Sequence, residues 1–268
     1  MSVPKQALVF ASFGVSDARA RQSSLDAAAE LLAERFSAFD VVQCYTSNFI
    51  RKRLNGLGLS ISSLPEMLAR LAEQGYSRVL IQPSHLTPGE EFDGKVMAAA
   101  EEAKSWFSDG LIVGRPIFDS AADYRAVLTA ILPEFSLGEN EQLVFLGHGS
   151  PHRHNPVYER FQQVVDECHL PVHIGVLEPS DTPNLPMVIR RLQQCGAQQV
   201  LLAPLLLAGG SHVTRDMAGE TESSWKSQLI AAGFTVRTRL QGLGEYLSFR
   251  ELYVLKAQKA LELSGWLK

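Results

Sequence analysis

The sequence has few cysteines, no excess of positive charge and no long apolar run. Its 268 residues include three cysteines, Cys44, Cys168 and Cys195, which are widely spaced and form no C-x-x-C pair. We therefore expect neither a disulfide framework nor a thiolate metal site. The formal net charge of -4 and the lack of a basic stripe argue against nucleic-acid binding.

No stretch is apolar for long enough to form a transmembrane helix, and the first apolar run, residues 7–10, is too short for a signal peptide. We therefore expect a cytoplasmic protein with no membrane partner. The chain also lacks a Walker loop, a G-x-G-x-x-G turn and the G-x-S-x-G motif of serine hydrolases. These absences argue against P-loop nucleotide-binding enzymes, dinucleotide-binding enzymes and serine hydrolases.

Apolar strands alternate with amphipathic helical segments along the chain. The predicted strands are residues 7–12, 39–45, 78–82, 111–114, 143–146, 172–177 and 199–207, and the predicted helices are residues 19–36, 50–57, 64–74, 92–106 and 121–131. Strands spaced by helices are typical of βαβ units. The pattern predicts an α/β fold with mostly parallel sheets.

Two parts of the sequence are repeated, and one of them is Leu8-Val9-Phe10 followed by Gly14, which matches Leu143-Val144-Phe145 followed by Gly149. Residues 63–83 align with residues 184–204 without a gap. Two copies are too few for a solenoid, so we predict an internal duplication that gives two similar three-layer domains with the active site in the cleft between them. The predicted domains are residues 1–136 and 137–268, and the last helix is expected to pack back on the first domain.

Three residues distinguish the second copy from the first. His148, Glu178 and His212 each follow a predicted strand, and the first copy has Phe13 and Glu91 where the second has the two histidines. The carboxyl ends of parallel strands form the usual ligand-binding edge of such a sheet. Two imidazoles and one carboxylate are a common ligand set for a divalent metal and leave coordination positions open. We therefore predict a metal site at this edge.

Each of these residues also has a structural interpretation. His148 alone could be an ordinary loop histidine, Glu178 a solvated residue before a proline, and His212 the cap of a following helix. His152 and His154 are more typical of solvated side chains than of ligands.

Several motifs together resemble one family. In chain order they are Ser12-Phe13-Gly14, Tyr45-Thr46-Ser47, Ile81-Gln82 with His85 and Gly89, Gly147-His148-Gly149, Val176-Leu177-Glu178, Ala208-Gly209-Gly210-Ser211-His212 with Asp216-Met217, Ser224-Trp225-Lys226 and Gly242-Leu243-Gly244-Glu245. Over nearly the whole chain they resemble the anaerobic sirohydrochlorin cobaltochelatases of the CbiK type, which are class II chelatases.

The resemblance implies a bilobal chelatase fold and the insertion of Co²⁺ into sirohydrochlorin, a lyase reaction of anaerobic cobalamin biosynthesis. It also implies that His148, Glu178 and His212 hold the metal. This ligand set does not by itself select cobalt, so insertion of Fe²⁺ or Ni²⁺ is an alternative. A non-catalytic bilobal protein that binds a metal or a tetrapyrrole is another. No organic cofactor is expected, and the oligomeric state is left open, with a homo-oligomer as one alternative.

The proposed chemistry assigns a catalytic role to His148 and His212. These imidazoles would alternate between holding the metal and accepting a pyrrole proton, while Glu178 offsets the charge of the dication. The residues assigned to substrate binding are Ser12, Phe13, His85, Glu90 and Glu91. The candidates for binding the carboxylates of the substrate are Arg153, Arg215 and Lys226.

Overall fold

Eight strands form two parallel sheets in the computed structural model, which describes residues 4–150 and 155–267. The first sheet contains β1 (Gln6–Ser12), β2 (Asp40–Tyr45), β3 (Arg78–Pro83) and β4 (Gly110–Val113), and the second contains β5 (Glu141–Gly147), β6 (Val172–Val176), β7 (Gln199–Pro204) and β8 (Thr235–Thr238). Their orders are β2-β1-β3-β4 and β6-β5-β7-β8. Every strand runs parallel to its neighbours. The predicted α/β class is confirmed.

Helices connect the strands. The α-helices are α1 (Ala18–Arg21), α2 (Ala27–Arg35), α3 (Asn48–Asn55), α4 (Leu64–Glu73), α5 (Ala98–Ala103), α6 (Ala121–Ile131), α7 (Val157–Glu167), α8 (Leu185–Gln194), α9 (Trp225–Ala231) and α10 (Leu247–Leu263). Gln22–Asp26, Phe92–Met97 and His212–Met217 are π-helical, and Lys104–Trp106, Leu132–Glu134 and Leu243–Glu245 are 3-10 turns.

The two sheets confirm the predicted duplication. Strands β1 and β5 both have seven residues, β3 and β7 both have six, and the helices α4 and α8 both have ten. Both helices begin with Leu-Pro after a polar cap. Ser63 accepts a hydrogen bond from the backbone of α4, and Asn184 accepts the equivalent bond in α8. Such caps satisfy amide groups that have no partner within the helix.

Helices cover both faces of the first sheet. Because side chains alternate along a strand, Val9 of β1 faces the cluster that contains α4 and α5, whereas Phe10 faces the opposite side. There the ring of Phe10 lies 5.3 Å from that of Tyr253 in α10. In the second sheet Val144 packs with α8 and α9, and Phe145 contacts Phe135 at 5.1 Å. Both halves therefore have three layers, as predicted.

The chain divides into two compact units. One consists of Met1–Asp123 with Leu247–Lys268, and the other is Tyr124–Tyr246. These bounds differ from the domains suggested by the sequence, residues 1–136 and 137–268, because most of α6 belongs to the second unit and α10 to the first. Within that unit the hydroxyl of Tyr253 donates a hydrogen bond of 2.7 Å to the carbonyl of Ser84, just after β3.

Several element bounds differ from the sequence pattern. Strand β7 ends at Pro204 rather than at residue 207, and its partner β8 ends at Thr238, so the ladder stops although the apolar run continues. The helices predicted at 19–36 and 92–106 are each divided into α-helical and non-α-helical segments. Strand β8 and helices α7 and α9 were not predicted. Strand β8 has only four residues, of which three are polar, so its apolar signal is weak.

Within residues 4–150 and 155–267, no helix combines the length and the apolar character that crossing a bilayer requires. The three cysteines are free thiols. Burial raises the pKa of the Cys44 thiol to about 12, so this residue is an apolar core side chain rather than a nucleophile.

A buried carboxylate anchors the start of the second sheet. The side chain of Glu141 in β5 is 3% exposed and pairs with Arg237 of β8 through contacts of 2.5 and 2.7 Å. Glu141 also accepts a 2.8 Å hydrogen bond from the amide of Gly138. The hydrogen bonds from Arg237 hold the pKa of Glu141 below its usual value.

We predict that Arg237→Ala lowers the free energy of unfolding by about 1–3 kcal/mol at pH 7, because a buried charged acceptor loses its donor. A carboxyl whose pKa is depressed on folding contributes stability above its unfolded pKa of about 4.3, and that stability is lost as the pH falls through the folded value. The difference in free energy of unfolding between the variant and the parent protein should therefore become smaller in acid. Urea unfolding at pH 7 and pH 4 tests this, with Arg190→Ala as the exposed control; equal differences at both pH values would contradict it.

Candidate metal centre

His148 lies directly after strand β5, between two glycines whose geometry the fold requires. A Cβ added to Gly147 would lie 2.2 Å from the buried ring of Tyr158, and Gly149 has a φ of +78°. A residue with a side chain would clash at the first position and be strained at the second. The backbone therefore turns sharply here, and the side chain of His148 is left exposed.

Glu178 lies beside His148 because the strand pairing continues past the ends of β5 and β6. The amide of Leu177 donates to the carbonyl of Gly147 at 2.9 Å, and the amide of Glu178 donates to the carbonyl of His148 at 3.0 Å. The carboxylate of Glu178 accepts a 2.9 Å hydrogen bond from the hydroxyl of Ser180.

His212 opens the π-helical segment His212–Met217, and Ser211 is its N-cap residue. His212 is predicted to follow a strand that ends at residue 207 and a glycine turn, whereas β7 ends at Pro204, eight residues before His212. The loop and helix nevertheless bring its ring close to that of His148. The two ring centroids are 4.8 Å apart, and the rings meet edge to face at 83°.

Asp216, one turn further along the helix, orients the imidazole of His212. Its Oδ2 lies 2.7 Å from Nδ1 of His212, and its Oδ1 accepts a 3.0 Å bond from Arg215. Burial acts to raise the pKa of Asp216, but the hydrogen bonds from Arg215 and His212 outweigh it and lower the value. If the ionised carboxylate accepts the Nδ1 proton, Nε2 of His212 is left unprotonated, as a histidine that binds a metal through Nε2 requires.

The structure brings together two of the three residues expected to bind metal. Among the side chains of residues 4–150 and 155–267, no group of three His, Cys, Asp or Glu is already arranged to hold a metal ion. The rings of His148 and His212 are in contact, whereas the carboxylate of Glu178 is bonded to Ser180. The set of His148, Glu178 and His212 therefore stays a prediction.

The residues expected to bind substrate belong to the first unit, near the carboxyl ends of β1 and β3. Phe13 is 47% exposed and Glu90 is exposed, whereas Glu91 pairs with Lys95 at 2.7 Å. Within the described part of the chain, the hydroxyl of Ser12 and both ring nitrogens of His85 are buried without a hydrogen-bond partner. Burial lowers the pKa of His85 to about 4, so its imidazole is neutral near pH 7.

The structure describes two of the three side chains predicted to bind the carboxylates of the substrate. Arg215 pairs with Asp216 at 3.0 Å and Lys226 pairs with Glu220 at 2.5 Å, so both cations have carboxylate neighbours. Arg153 lies outside the described residues, as do His152 and His154.

Sequence reasoning assigned no role to Asp216 or Tyr158. The spacing of four residues between His212 and Asp216 is a usable signal, because such residues meet on one side of a helical turn. Tyr158 carries no comparable signal, since its role depends on the close approach of α7 to Gly147.

Comparison with solved structures identifies the fold. The structure described as SirB from Bacillus subtilis with Fe³⁺ matches 97% of this chain and 98% of that chain, with a TM-score of 0.66 and 16% identity. At this identity the likeness establishes the fold alone, which the two proteins share over almost their whole length.

Comparison of sequences is more specific. The family described as cobalt chelatase (CbiK) matches residues 6–262. The sirohydrochlorin cobaltochelatase of Salmonella typhimurium is 30% identical over 262 residues, which are 97% of this chain and 98% of that protein. The sirohydrochlorin cobaltochelatase CbiKC of Nitratidesulfovibrio vulgaris is 32% identical over 259 residues, 95% of this chain and 90% of that protein. The chain belongs to the cobalt chelatase (CbiK) family, which confirms the resemblance.

We predict that Asp216→Ala weakens Co²⁺ binding by about 10–100-fold, the usual effect of removing a carboxylate that orients a histidine ligand. Asp216→Asn should have a smaller effect, since the amide oxygen can still accept the Nδ1 proton. Calorimetric titration with Co²⁺ measures both dissociation constants. Glu222→Ala, which removes an exposed carboxylate from the loop after this helix, is the control; equal affinity in all the variants would contradict the assignment.

Proposed function

We propose that this protein inserts Co²⁺ into sirohydrochlorin and releases two protons, as a metal chelatase of cobalamin biosynthesis. Membership of the cobalt chelatase family over residues 6–262 is the observation that carries the proposal. Two relatives named sirohydrochlorin cobaltochelatase, similar over almost their whole length, support the choice of both metal and tetrapyrrole. The divalent metal is a substrate of this reaction.

His148, His212 and Glu178 are the proposed metal ligands. The contact between the two imidazoles supports this assignment, as does the backbone bond that keeps Glu178 beside His148. A rotation of the Glu178 side chain away from Ser180 would complete the set. Two neutral imidazoles and one carboxylate leave positions open, so metal-bound water can be exchanged for ring nitrogens.

The reaction requires acceptors for two protons. Two pyrrole N–H bonds break while the metal forms bonds to the ring nitrogens, and each N–H electron pair stays on its nitrogen. Imidazole is the side chain whose ordinary titration range lies closest to neutral pH. We assign this proton transfer to His148 and His212, each of which becomes free to accept a proton as the metal passes to the tetrapyrrole.

The family membership favours cobalt over the other metals. Imidazole and carboxylate ligands also bind Fe²⁺ and Ni²⁺, so the ligand set alone would not separate a cobalt chelatase from an iron or nickel chelatase. The names of the relatives favour a cobalt chelatase, and a catalyst over a non-catalytic bilobal binding protein. A homo-oligomer and the lack of an organic cofactor stay predictions.

The tetrapyrrole contacts are proposed for Ser12, Phe13, His85, Glu90 and Glu91. The exposed ring of Phe13 supports this, because an aromatic face can stack on a macrocycle. The unpartnered polar atoms of Ser12 and His85 offer hydrogen bonds that the protein itself leaves unused.

The test follows the absorption change of sirohydrochlorin with Co²⁺, Fe²⁺ and Ni²⁺. The parent protein should prefer Co²⁺, and His148→Ala and His212→Ala should each lower the rate by at least about 100-fold, because each removes both a ligand and a proton acceptor. His169→Asn is the matched control, since His169 is exposed and has a φ of +52° that asparagine tolerates. Unchanged turnover in both alanine variants would refute the site, and no insertion of any metal would refute the function.

A further inference from the structure

A buried carboxylate lies behind the predicted metal ligands. Asp181 ends a tight turn that begins at Glu178, and its backbone amide donates to the carbonyl of Glu178 at 3.1 Å. The residue is only 1% exposed. Burying a carboxylate is costly unless it accepts hydrogen bonds, so the bonds of Asp181 indicate what it does.

The carboxylate joins two segments of chain that are distant in sequence. Its Oδ2 accepts a 2.8 Å hydrogen bond from the amide of Ser150, two residues after His148. Its Oδ1 accepts a 2.8 Å bond from the amide of Thr182. Hydrogen bonds from amides to an ionised carboxylate are stronger than those between neutral groups, and burial strengthens them further.

The bond to Ser150 completes a set that surrounds His148. Before the histidine, the carbonyl of Gly147 accepts from Leu177, and the carbonyl of His148 itself accepts from Glu178. After the histidine, the chain turns at Gly149 in the left-handed region, at φ +78°. The chain that leaves this turn is held by Asp181.

The loop and the turn are also in direct van der Waals contact. A Cβ built on Gly149 would lie 2.9 Å from Cβ of Glu178 and 3.4 Å from Cβ of Asp181. A side chain at position 149 would therefore push the two segments apart. The hydrogen bond from the amide of Ser150 to Asp181 holds them together.

We propose that Asp181 is a positioning residue that sets the distance between His148 and Glu178 and thereby the affinity of the protein for Co²⁺. The proposal rests on the proposed function, because it takes these two residues as metal ligands. Asp181 itself does not touch the metal. It acts through the backbone that carries the two ligands, as outer carboxylates do at other metal sites.

The experiment compares Asp181→Ala and Asp181→Asn with the parent protein. The alanine variant should raise KM for Co²⁺ by about 10–100-fold and shift the visible absorption bands of the bound cobalt, with KM for sirohydrochlorin changed by less than about twofold. The asparagine variant keeps the shape of the side chain and one good acceptor oxygen. Its KM for Co²⁺ should therefore lie between those of the parent protein and the alanine variant. Cobalt titrations without the tetrapyrrole give the affinity and the spectrum independently of turnover.

A stability control separates positioning from a general loss of structure. Leu192→Ala removes a fully buried side chain of α8 and should destabilise the same unit without touching either ligand loop. If Leu192→Ala raises KM for Co²⁺ as much as Asp181→Ala does, or if both Asp181 variants retain the parent affinity and spectrum, the proposal is wrong. A parent protein that binds Co²⁺ but inserts none would refute the proposed function, while the cobalt titrations would still decide the role of Asp181.

Discussion

The hydrogen bond from the amide of Glu178 to the carbonyl of His148 is the interaction on which the candidate site depends. It extends the β5 and β6 ladder beyond the sheet, so that a loop and a turn keep the registry of two parallel strands. The glycine at position 147 permits this, because Tyr158 occupies the space of a Cβ. Rigid strands thus position an exposed imidazole and a half-buried carboxylate, an arrangement that suits a metal which must enter and leave.

The duplication places different side chains on the same scaffold in the two units. Both units have the same strand order and a π-helical segment after their third strand, Phe92–Met97 in the first and His212–Met217 in the second. The scaffold is shared, and the side chains at its edge differ. In the first unit they include an exposed aromatic ring and a carboxylate paired with Lys95, whereas in the second two imidazoles are in contact.

The sequence predicted the sheets better than it predicted the site. Continuous apolar runs and the repeat of Leu-Pro helices carry a strong periodic signal, and both units follow it. The end of β7 was predicted three residues too late because the apolar run continues past Pro204, where the carbonyls of Leu206 and Leu207 accept hydrogen bonds from Leu243 and Gly244 and not from a neighbouring strand. Asp181 gave no signal, since an aspartate in a turn is common and its burial depends on the 147–150 loop folding over it. Contacts between loops that are remote in sequence leave no local pattern.

Because α10 belongs to the first unit, that unit cannot finish folding until the end of the chain has been made. Tyr124–Tyr246 is a continuous stretch, whereas the first unit is built from both ends of the chain. During synthesis the unit with the two imidazoles can therefore close before the ribosome has released the residues that finish the other. The ring contact between Phe10 and Tyr253 cannot form until Tyr253 is made, more than two hundred residues after Phe10. Strand β1 is therefore made first, but the helix that packs on one of its faces, α10, is made last.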